Sequence, residues 1–342
     1  MRSQNPDDQS PTSDSRPSLP RRVIVTGGAG FIGSVFVEHL NRAGVTDILI
    51  VDDLGTSSKW KNLVDLTYTD YLHKDEFLRR VEAGQGGGER FAAPDAIVHL
   101  GACSATTEQN ADYLMENNFH YTKKLAQWAA ASGIRFVYAS SAATYGDGLQ
   151  GFSDDPSRLR DLRPLNRYGY SKHLFDLYAQ TTGLDKHTVG IKFFNVFGPR
   201  ESHKGGMTSV LFNAFHEIRD TKRLRLFRSE NPDYKDGEQR RDFVYVHDCA
   251  RVLLWLLTRP DVTGVFNLGT GEARTWNDLA RSVFAALDVP LAIDYIDLPP
   301  ALKNSYQYFT QADMTRLRSI GYTDPFTRLE DAAREYVNYL RG

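Results

Sequence analysis

The feature that most constrains this chain is a glycine-rich turn between a buried strand and a helix near its N-terminus. The β-branched run Val23–Val25 predicts a parallel strand, and a helical pattern begins near Phe31. Glycines recur every third residue at Gly27, Gly30 and Gly33. Such a turn lets backbone N–H groups reach a pyrophosphate at a helix N-terminus with no Cβ in the way. The turn therefore predicts dinucleotide binding, with an ordinary structural strand-helix turn as the alternative.

The composition of the chain argues against several classes of protein. Its 342 residues carry 41 Lys and Arg against 43 Asp and Glu, a net charge of −2, and 41% are hydrophobic. These values predict a sizeable core and indicate no nucleic-acid partner, and no apolar run approaches the roughly 20 residues of a membrane span. Two cysteines, Cys103 and Cys249, predict neither a disulfide framework nor a metal site and fit a cytoplasmic protein. Residues 1–21 are rich in Ser, Pro and Asp, so we expect a disordered tail there.

Strand and helix patterns alternate from Val23 onward, which predicts parallel βαβ units and a doubly wound, Rossmann-type α/β fold. The predicted strands are 23–25, 47–51, 96–100, 135–139, 189–194, 243–246 and 265–268, and the predicted helices are 31–43, 75–83, 113–132, 167–181, 210–219, 248–257 and 329–340. After Pro199 the alternation changes, which indicates a second, smaller α/β domain. We assign 22–198 and 243–288 to a dinucleotide-binding domain, and 199–242 and 289–342 to a substrate-binding domain.

The residues after the second predicted strand bear on the choice of cofactor. Asp52 follows Gly33 by 19 residues, where an acid commonly binds the adenine ribose of NAD. Lys59 and Lys74 lie nearby, and cations favour the 2′-phosphate of NADP. Either lysine could equally be a solvated surface charge. These residues alone leave both dinucleotides open.

Tyr168 and Lys172 stand four residues apart in a predicted helix, which places them on one face. A phenol has a pKa of about 10, and an adjacent ammonium together with an oxidised nicotinamide lowers it. The phenolate can then take a proton from an alcohol as hydride leaves. Ser141 follows a strand end, where sites of α/β proteins lie, and could hydrogen-bond the same oxygen. The alternative is a helix-surface pair and a serine cap without a catalytic role.

A polar loop rich in glycine, 195–207, comes directly after a strand, a position that carries function on α/β scaffolds. It contains two candidates for a second acid or base, His203 and Lys204, and their chemistry alone does not separate them. Further along, Arg241 precedes a strand and could bind a phosphate with its guanidinium fork. A salt bridge to Asp242 would explain this arginine equally well.

Together these stretches resemble the extended short-chain dehydrogenase/reductase superfamily and, within it, the ADP-L-glycero-D-manno-heptose 6-epimerase family. The resemblance runs from about Val23 to the C-terminus. Its motifs are TGGAGFIG (26–33), NLVDL (62–66), GACS (101–104), TTE (106–108), SSAATYG (140–146), YGYSK (168–172), FNV (194–196), GPRE (198–201), HKG (203–205), RDFVYV (241–246) and FTQAD (309–313). The most specific are GACS with TTE, HKG and FTQAD.

The resemblance implies a bound NADP and the interconversion of ADP-D-glycero- and ADP-L-glycero-β-D-manno-heptose, a step of lipopolysaccharide core biosynthesis, by transient oxidation at C6. It implies two bases, Tyr168 and Lys204, with Ser141 and Lys172 assisting, and thus favours Lys204 over His203. Lys204 must be neutral to accept a proton, so we expect its pKa below the usual value of about 10.4.

The resemblance also implies the residues that contact each ligand. The implied cofactor contacts are Phe31, Ile32, Asp52, Asp53, Lys59, Lys74, Leu100, Gly101, Ala102, Cys103, Ser104, Asn117, Lys172, Val196 and Lys204, and the two outer lysines weigh towards NADP over NAD. The implied substrate contacts are Asn195, Gly206, Asn213, Phe227, Arg228, Ser229, Glu230, Arg241 and Tyr306. The implied assembly is a homo-oligomer, a pentamer or a multiple of it.

Three positions depart from the family pattern, since Asn213 stands where His is common, Leu100 where Glu is common, and Gly206 where Ser is common. The loop 229–239 is also longer than in compact members. We expect these differences to affect recognition of the substrate's nucleotide and sugar more than binding of the cofactor.

Other functions remain to be weighed. They are another nucleotide-sugar epimerase, acting on a GDP-heptose or at C4, a 4,6-dehydratase, and a non-enzymatic dinucleotide-binding regulator. Ala142–Ala143 stands where dehydratases resemble one another in carrying Asp-Glu, which argues against the dehydratase. The presence of all four catalytic candidates argues against the regulator.

Overall fold

The computed structural model describes residues 18–300 and 306–342. Of the predicted tail at 1–21, residues 1–17 lie outside the described residues, whereas Leu19 packs partly buried against the core. None of the described helices is both long enough and apolar enough to span a membrane.

The described chain alternates strands and helices through most of its length. The strands are β1 (Arg22–Thr26), β2 (Asp47–Asp52), β3 (Asp70–His73), β4 (Ala96–His99), β5 (Arg135–Ser141), β6 (Thr188–Phe193), β7 (Asn195–Phe197), β8 (Leu224–Phe227), β9 (Arg240–Tyr245), β10 (Gly264–Leu268), β11 (Ala273–Thr275) and β12 (Ile293–Ile296). The helices are α1 (Phe31–Arg42), α2 (Lys74–Glu82), α3 (Ala111–Leu114), α4 (Tyr121–Ala131), α5 (Arg167–Thr182), α6 (Val210–Thr221), α7 (Val246–Leu257), α8 (Trp276–Leu287), α9 (Thr315–Ser319) and α10 (Leu329–Arg341).

Seven strands form one parallel sheet in the order β10-β6-β5-β4-β1-β2-β3. Side chains of the central strand β1 alternate between its two faces. Val23 and Val25 belong to one apolar cluster and Ile24 to another, and all three are fully buried. The doubly wound, Rossmann-type α/β fold predicted from the sequence is therefore confirmed.

The strand predicted at 243–246 lies outside the main sheet. β9 instead pairs with β7 and β11 in a separate three-stranded sheet. The chain rejoins the first layer slightly later, because α7 packs on α1 and β10 pairs with β6. An apolar run indicates that a strand is buried but does not identify the strand it pairs with. The predicted domain boundaries stay a prediction.

Two features of the main α/β layer lie beyond the predicted pattern. The edge strand β3 has mostly polar residues and little burial, so it shows no hydrophobic alternation. The helix predicted at 113–132 is interrupted by a π-helical segment, Met115–His120. Such segments often occur at functional sites, and this one contains the buried Asn118, which holds the loop after β4.

Candidate functional site

The glycine turn between β1 and α1 is packed too closely for side chains. Gly27 has a left-handed φ of 69°, and a Cβ there would lie 2.6 Å from the Gly101 nitrogen. A Cβ on Gly33 would lie 2.1 Å from the Gly27 carbonyl oxygen, and Gly30 is the N-cap of α1. The N-terminus of α1 therefore presents bare backbone, which suits a pyrophosphate.

We expect Gly33→Ala to remove the bound dinucleotide. The new methyl group would displace the Gly27 carbonyl, at a cost of about 1–3 kcal/mol in the free energy of unfolding. Dinucleotide released from the denatured variant and its urea unfolding curve measure both effects. Val35→Ala, at a fully buried position of α1, is the control for lost stability alone. A Gly33→Ala protein that retains a full complement of dinucleotide would contradict this assignment of the turn.

A cavity of about 530 Å³, here called the cofactor cavity, opens beside this turn at the ends of β1, β2 and β4. Nine of the predicted cofactor residues line it: Gly27, Asp52, Asp53, Lys59, Lys74, Gly101, Ala102, Cys103 and Asn117. Tyr113 and Tyr121 also line it and were not predicted. Their positions on the helical stretch after the GACS and TTE motifs are the only signal in the sequence that could have indicated them.

The carboxylate of Asp52 is held by its own chain. Its Oδ2 accepts a hydrogen bond from the Ala29 N–H at 2.8 Å, and its Oδ1 accepts one from Lys59 Nζ at 2.7 Å. Asp52 is buried, whereas Asp53 is exposed and lies 3.6 Å from the His73 imidazole. The negative charge of Asp52 is therefore balanced within the cavity wall.

A second and larger opening, the central cleft, continues from the cofactor cavity and shares Ala102 with it. It occupies about 1190 Å³ including its mouth. It is lined by Phe31, Ile32, Leu100, Ala102, Ser104, Ser141, Tyr168, Lys172, Asn195, Val196 and Lys204 among the predicted residues, and by Thr106, Met207 and Trp276 among those not predicted. All four catalytic candidates thus face one space.

Ser141, Tyr168 and Lys172 meet at the floor of the central cleft. Ser141 is the last residue of β5, and α5 begins after the N-cap Asn166 and carries the other two. Lys172 Nζ donates to the Ala139 carbonyl at 2.9 Å, and burial lowers the pKa of Lys172 to about 8. The tyrosine and the lysine predicted to work together are thus both held against the end of β5.

The pKa of Tyr168 does not move in the direction expected for the reacting complex. Burial raises it, and a hydrogen bond with Ser141 opposes that shift. The chain's own groups therefore favour the phenol. Two positive charges were expected to favour the phenolate. The Lys172 ammonium does not outweigh the effect of burial, and the other charge belongs to the oxidised dinucleotide, which the chain does not itself supply.

The loop after β7 presents Lys204, and not His203, to the central cleft. Lys204 lies in the turn Ser202–Met207 with its Nζ 5.1 Å from the centre of the Phe31 ring. Burial lowers its pKa, with Glu201 opposing, which is the direction that a proton acceptor requires. His203 Nδ1 lies 3.2 Å from Asn62 Nδ2, within a hydrogen-bonded contact beside the turn.

Arg241 is buried between two aromatic rings, at 5.5 Å from both Trp276 and Tyr306. Its guanidinium donates to the backbone carbonyls of Arg240 and Gln307, and burial lowers its pKa to about 10. Asp242 points elsewhere, since its carboxylate accepts hydrogen bonds from the backbone of Thr270, Gly271 and Ala312. The geometry therefore argues against the salt bridge to Asp242, and anion binding by Arg241 stays a prediction.

The remaining predicted substrate residues fall into two groups. Phe227 packs edge-on against Tyr306 at 6.5 Å, and Arg228, Ser229 and Glu230 follow it into a loop held by Asp236, Tyr295 and Tyr308. Gly206 and Asn213 stand beside the central cleft, and the described residues that line it from this segment are Met207 to Leu211. Within the first group, Phe227 is linked to Arg241 through Tyr306, whereas Gly206 and Asn213 are not among the residues that line the cleft.

An outer groove extends from the central cleft past Ser141 and Tyr168. It is lined by Thr106, Thr107, Gln109, Ala142, Ala143, Gly146, residues 164–168, Tyr170, residues 193–195, Gln307 and Thr310. The TTE motif was a signal for Thr106 and Thr107, although it was not interpreted as part of a site. Across residues 18–300 and 306–342, no group of three or more His, Cys, Asp or Glu side chains could hold a metal ion.

Fold and site together define a dinucleotide-dependent enzyme of the short-chain dehydrogenase/reductase class. Residues 23–269 match the NAD dependent epimerase/dehydratase family. The chain is 54% identical over 314 residues to the ADP-L-glycero-D-manno-heptose-6-epimerase of Nitratidesulfovibrio vulgaris, covering 92% of this chain and 96% of the relative. It is 44% identical over 328 residues to the enzyme of the same name from Fusobacterium nucleatum, covering 93% and 98%.

Two solved structures of epimerases also superpose on nearly the whole chain. The ADP-L-glycero-D-manno-heptose-6-epimerase of Helicobacter pylori superposes with a TM-score of 0.78 at 26% identity, covering 96% of this chain and 99% of that one. The UDP-glucose 4-epimerase of Thermus thermophilus, solved in complex with NAD, has a TM-score of 0.73 at 26% identity, covering 94% and 99%. The chain belongs to the NAD dependent epimerase/dehydratase family and, within it, to the ADP-L-glycero-D-manno-heptose-6-epimerases.

Proposed function

We propose that this enzyme interconverts the two C6 epimers of ADP-glycero-β-D-manno-heptose, with Tyr168 and Lys204 as its two acid-base groups. The observation that carries the proposal is that both side chains line the central cleft from different elements, α5 and the turn after β7. The two epimers differ in the direction in which C6 presents O6. Two bases on separate elements can exchange protons with O6 in either configuration.

The chemistry balances without net oxidation. One base accepts the O6 proton as C6 is oxidised to a ketone. The other base donates a proton to O6 as the ketone is reduced from its opposite face. A dinucleotide held by the residues of the cofactor cavity would accept the hydride and return it. One base must therefore begin deprotonated and the other protonated, and each turnover exchanges these states. Ser141 hydrogen-bonds the reacting oxygen, and the Lys172 ammonium favours the phenolate of Tyr168.

We propose NADP rather than NAD as the dinucleotide. In the cofactor cavity, the Asp52 carboxylate already accepts from Lys59 and from the Ala29 N–H, so it is poorly available to a ribose hydroxyl. Lys59 and Lys74 line the same cavity, and their ammonium groups suit a 2′-phosphate. A bound dinucleotide supplies hydride transfer, and the chain supplies the positions of the proton donors.

For the substrate, we propose that Arg241 binds the diphosphate and that Tyr306 and Phe227 line the site of the nucleotide. A buried guanidinium whose fork is fixed by two backbone carbonyls is pre-arranged to bind an anion. Arg228, Ser229, Glu230, Asn195, Gly206 and Asn213 stay predicted substrate contacts. The homo-oligomer, pentameric or a multiple of it, and the cytoplasmic location also stay predictions.

The test begins with protein as purified. Denaturation should release NADP, identified by mass. Fresh protein incubated with ADP-D-glycero-β-D-manno-heptose and no added cofactor should form a mixture of both C6 epimers, observed by NMR. Release of NADP without any change at C6 would contradict the substrate assignment and leave the cofactor assignment standing. Formation of a 4-keto-6-deoxy sugar would indicate a dehydratase instead.

A further inference from the structure

A buried charged cluster lies directly behind the central cleft. Asp176 of α5 is fully buried, and its carboxylate accepts hydrogen bonds from Tyr138 Oη at 3.0 Å, Ser140 Oγ at 2.7 Å and Lys192 Nζ at 2.7 Å. Lys192 of β6 is 1% exposed and also donates to Thr144 Oγ1 at 2.7 Å. These five side chains are here called the Asp176 network. None of them was predicted to have a role.

The Asp176 network adjoins the groups that carry the chemistry. Asp176 follows Lys172 by one helical turn, as Lys172 follows Tyr168, so all three stand on one face of α5. Lys172 Nζ binds the carbonyl of Ala139, and Asp176 binds the hydroxyl of the next residue, Ser140. Lys172 and Asp176 of α5 therefore bind two consecutive residues of β5, Ala139 and Ser140, and hold the helix against that strand.

The same network reaches the serine at the end of β5. The Thr144 hydroxyl, which accepts from Lys192, donates to the Ser141 carbonyl at 2.8 Å. Ser141 Oγ in turn accepts from the Ala143 N–H at 3.1 Å. A chain of hydrogen bonds thus links Lys192 of β6 through Thr144 to the backbone carbonyl of Ser141.

A buried ion pair is a poor way to make a protein stable. Removing a carboxylate and an ammonium from water costs about as much as their attraction returns, and apolar side chains of similar size commonly serve as well. The pair Asp176–Lys192 has 0% and 1% of its side-chain surface exposed. The pair lies beside a third buried charge, Lys172, and this position indicates a role in the reaction more than in stability.

We propose that Asp176 is a positioning residue of the epimerase reaction: Lys192 fixes the Asp176 carboxylate, and that carboxylate holds Lys172 in place as an ammonium beneath Tyr168. The inference rests on the proposed function, because it assigns Tyr168 and Lys172 their roles. It adds a residue that does not line the cleft and acts only through Lys172.

The electrostatic surroundings of Lys172 support this role. The titratable groups near Lys172 are Asp176 and Tyr168 from α5, His99 from β4 and Cys103 from the following loop. Those near Asp176 are Lys192 from β6, Tyr138 from β5, Tyr145 from the turn after β5 and His173 from α5. Three further carboxyl groups, Asp154, Asp155 and Asp185, line a small cavity together with Asp176 and Lys192. Burial lowers the pKa of His99 to about 3 and that of His173 to about 4, so both are neutral near pH 7. Asp176 is thus the carboxylate that opposes the effect of burial on the pKa of Lys172.

The test compares pH profiles of Asp176→Asn and of the double variant Asp176→Asn with Lys192→Met. The asparagine retains an acceptor oxygen for one of the two hydroxyls, Ser140 or Tyr138, and its NH2 group can donate to the other. The methionine removes the buried ammonium that would otherwise lose its partner. Without the carboxylate, the pKa of Lys172 should fall further, so its ammonium is lost at lower pH. We expect the alkaline limb of the epimerisation rate to move down by about 1 pH unit or more, with activity recovering towards pH 6.

The matched control is Asp248→Asn. Asp248 is another fully buried carboxylate, which pairs with Arg251 and accepts a hydrogen bond from Thr327, and it lines neither the central cleft nor the outer groove. This variant should lower the melting temperature without moving the pH profile. A folded double variant with retained dinucleotide and an unchanged profile would overturn the proposal. Failure of the double variant to fold would overturn it too, because the pair would then act through the fold alone. An unmodified protein without epimerase activity would instead contradict the proposed function.

Discussion

Tyr168→Phe should retain the dinucleotide and lose epimerase activity by roughly 10²–10⁴-fold, the range by which a positioned acid or base accelerates a reaction. The substitution removes one oxygen atom from a side chain on α5 that lines the central cleft. The fold and the cofactor cavity should be unaffected, because Tyr168 does not line that cavity. Initial rates of C6 epimerisation, together with the dinucleotide released on denaturation, measure the two effects.

The chain contains a matched control for this substitution. Tyr170 is two residues away on the same helix, is 50% exposed and lines the outer groove but not the central cleft. Tyr170→Phe should therefore retain nearly the full rate of epimerisation. Equal activity of Tyr168→Phe and the unmodified enzyme would remove Tyr168 as an acid-base group.

Lys204→Met should also reduce net epimerisation by roughly 10²–10⁴-fold, but it should leave one half-reaction intact. Methionine keeps much of the stem that packs near the Phe31 ring and lacks the amine. The epimer that Tyr168 deprotonates should still be oxidised, and reduced nicotinamide should accumulate in the enzyme. Its absorbance after mixing with each epimer separately, together with NMR of C6, distinguishes oxidation from epimerisation.

Two further variants show whether this result has the proposed cause. His203→Asn should keep most of the activity, because His203 contacts Asn62 and Lys204 is the one of the pair that lines the cleft. The double variant Tyr168→Phe with Lys204→Met should lose the half-reaction as well. If the single and double variants exchange the epimers equally well, the two-base scheme is wrong.

Most of the fold could be predicted because its signals are periodic and local. The strand-turn-helix at Val23 to Arg42 appears in the order of residues alone, and the alternation after it predicted six of the seven strands of the main sheet. The seventh, β3, is an edge strand whose polar residues do not alternate with apolar ones. β9 was predicted as a strand, but its pairing with β7 and β11 was not, since strand pairing depends on residues far apart in sequence.

The sequence by itself determined those parts of the site that lie within one or two consecutive elements. The spacing of Gly27, Gly30 and Gly33 and the four-residue interval from Tyr168 to Lys172 specify geometry through the backbone of a single turn or helix. Resemblance to the family added the role of Lys204, which residue chemistry had left undecided.

Only the tertiary structure decided how separate segments meet. It turns Lys204 into the cleft and His203 towards Asn62, and it pairs the Asp52 carboxylate with Lys59. It also buries Asp176 against Lys192, 16 residues further along the chain. The physical reason is that burial and charge pairing arise from side chains of distant elements, and no local period in the sequence records those contacts.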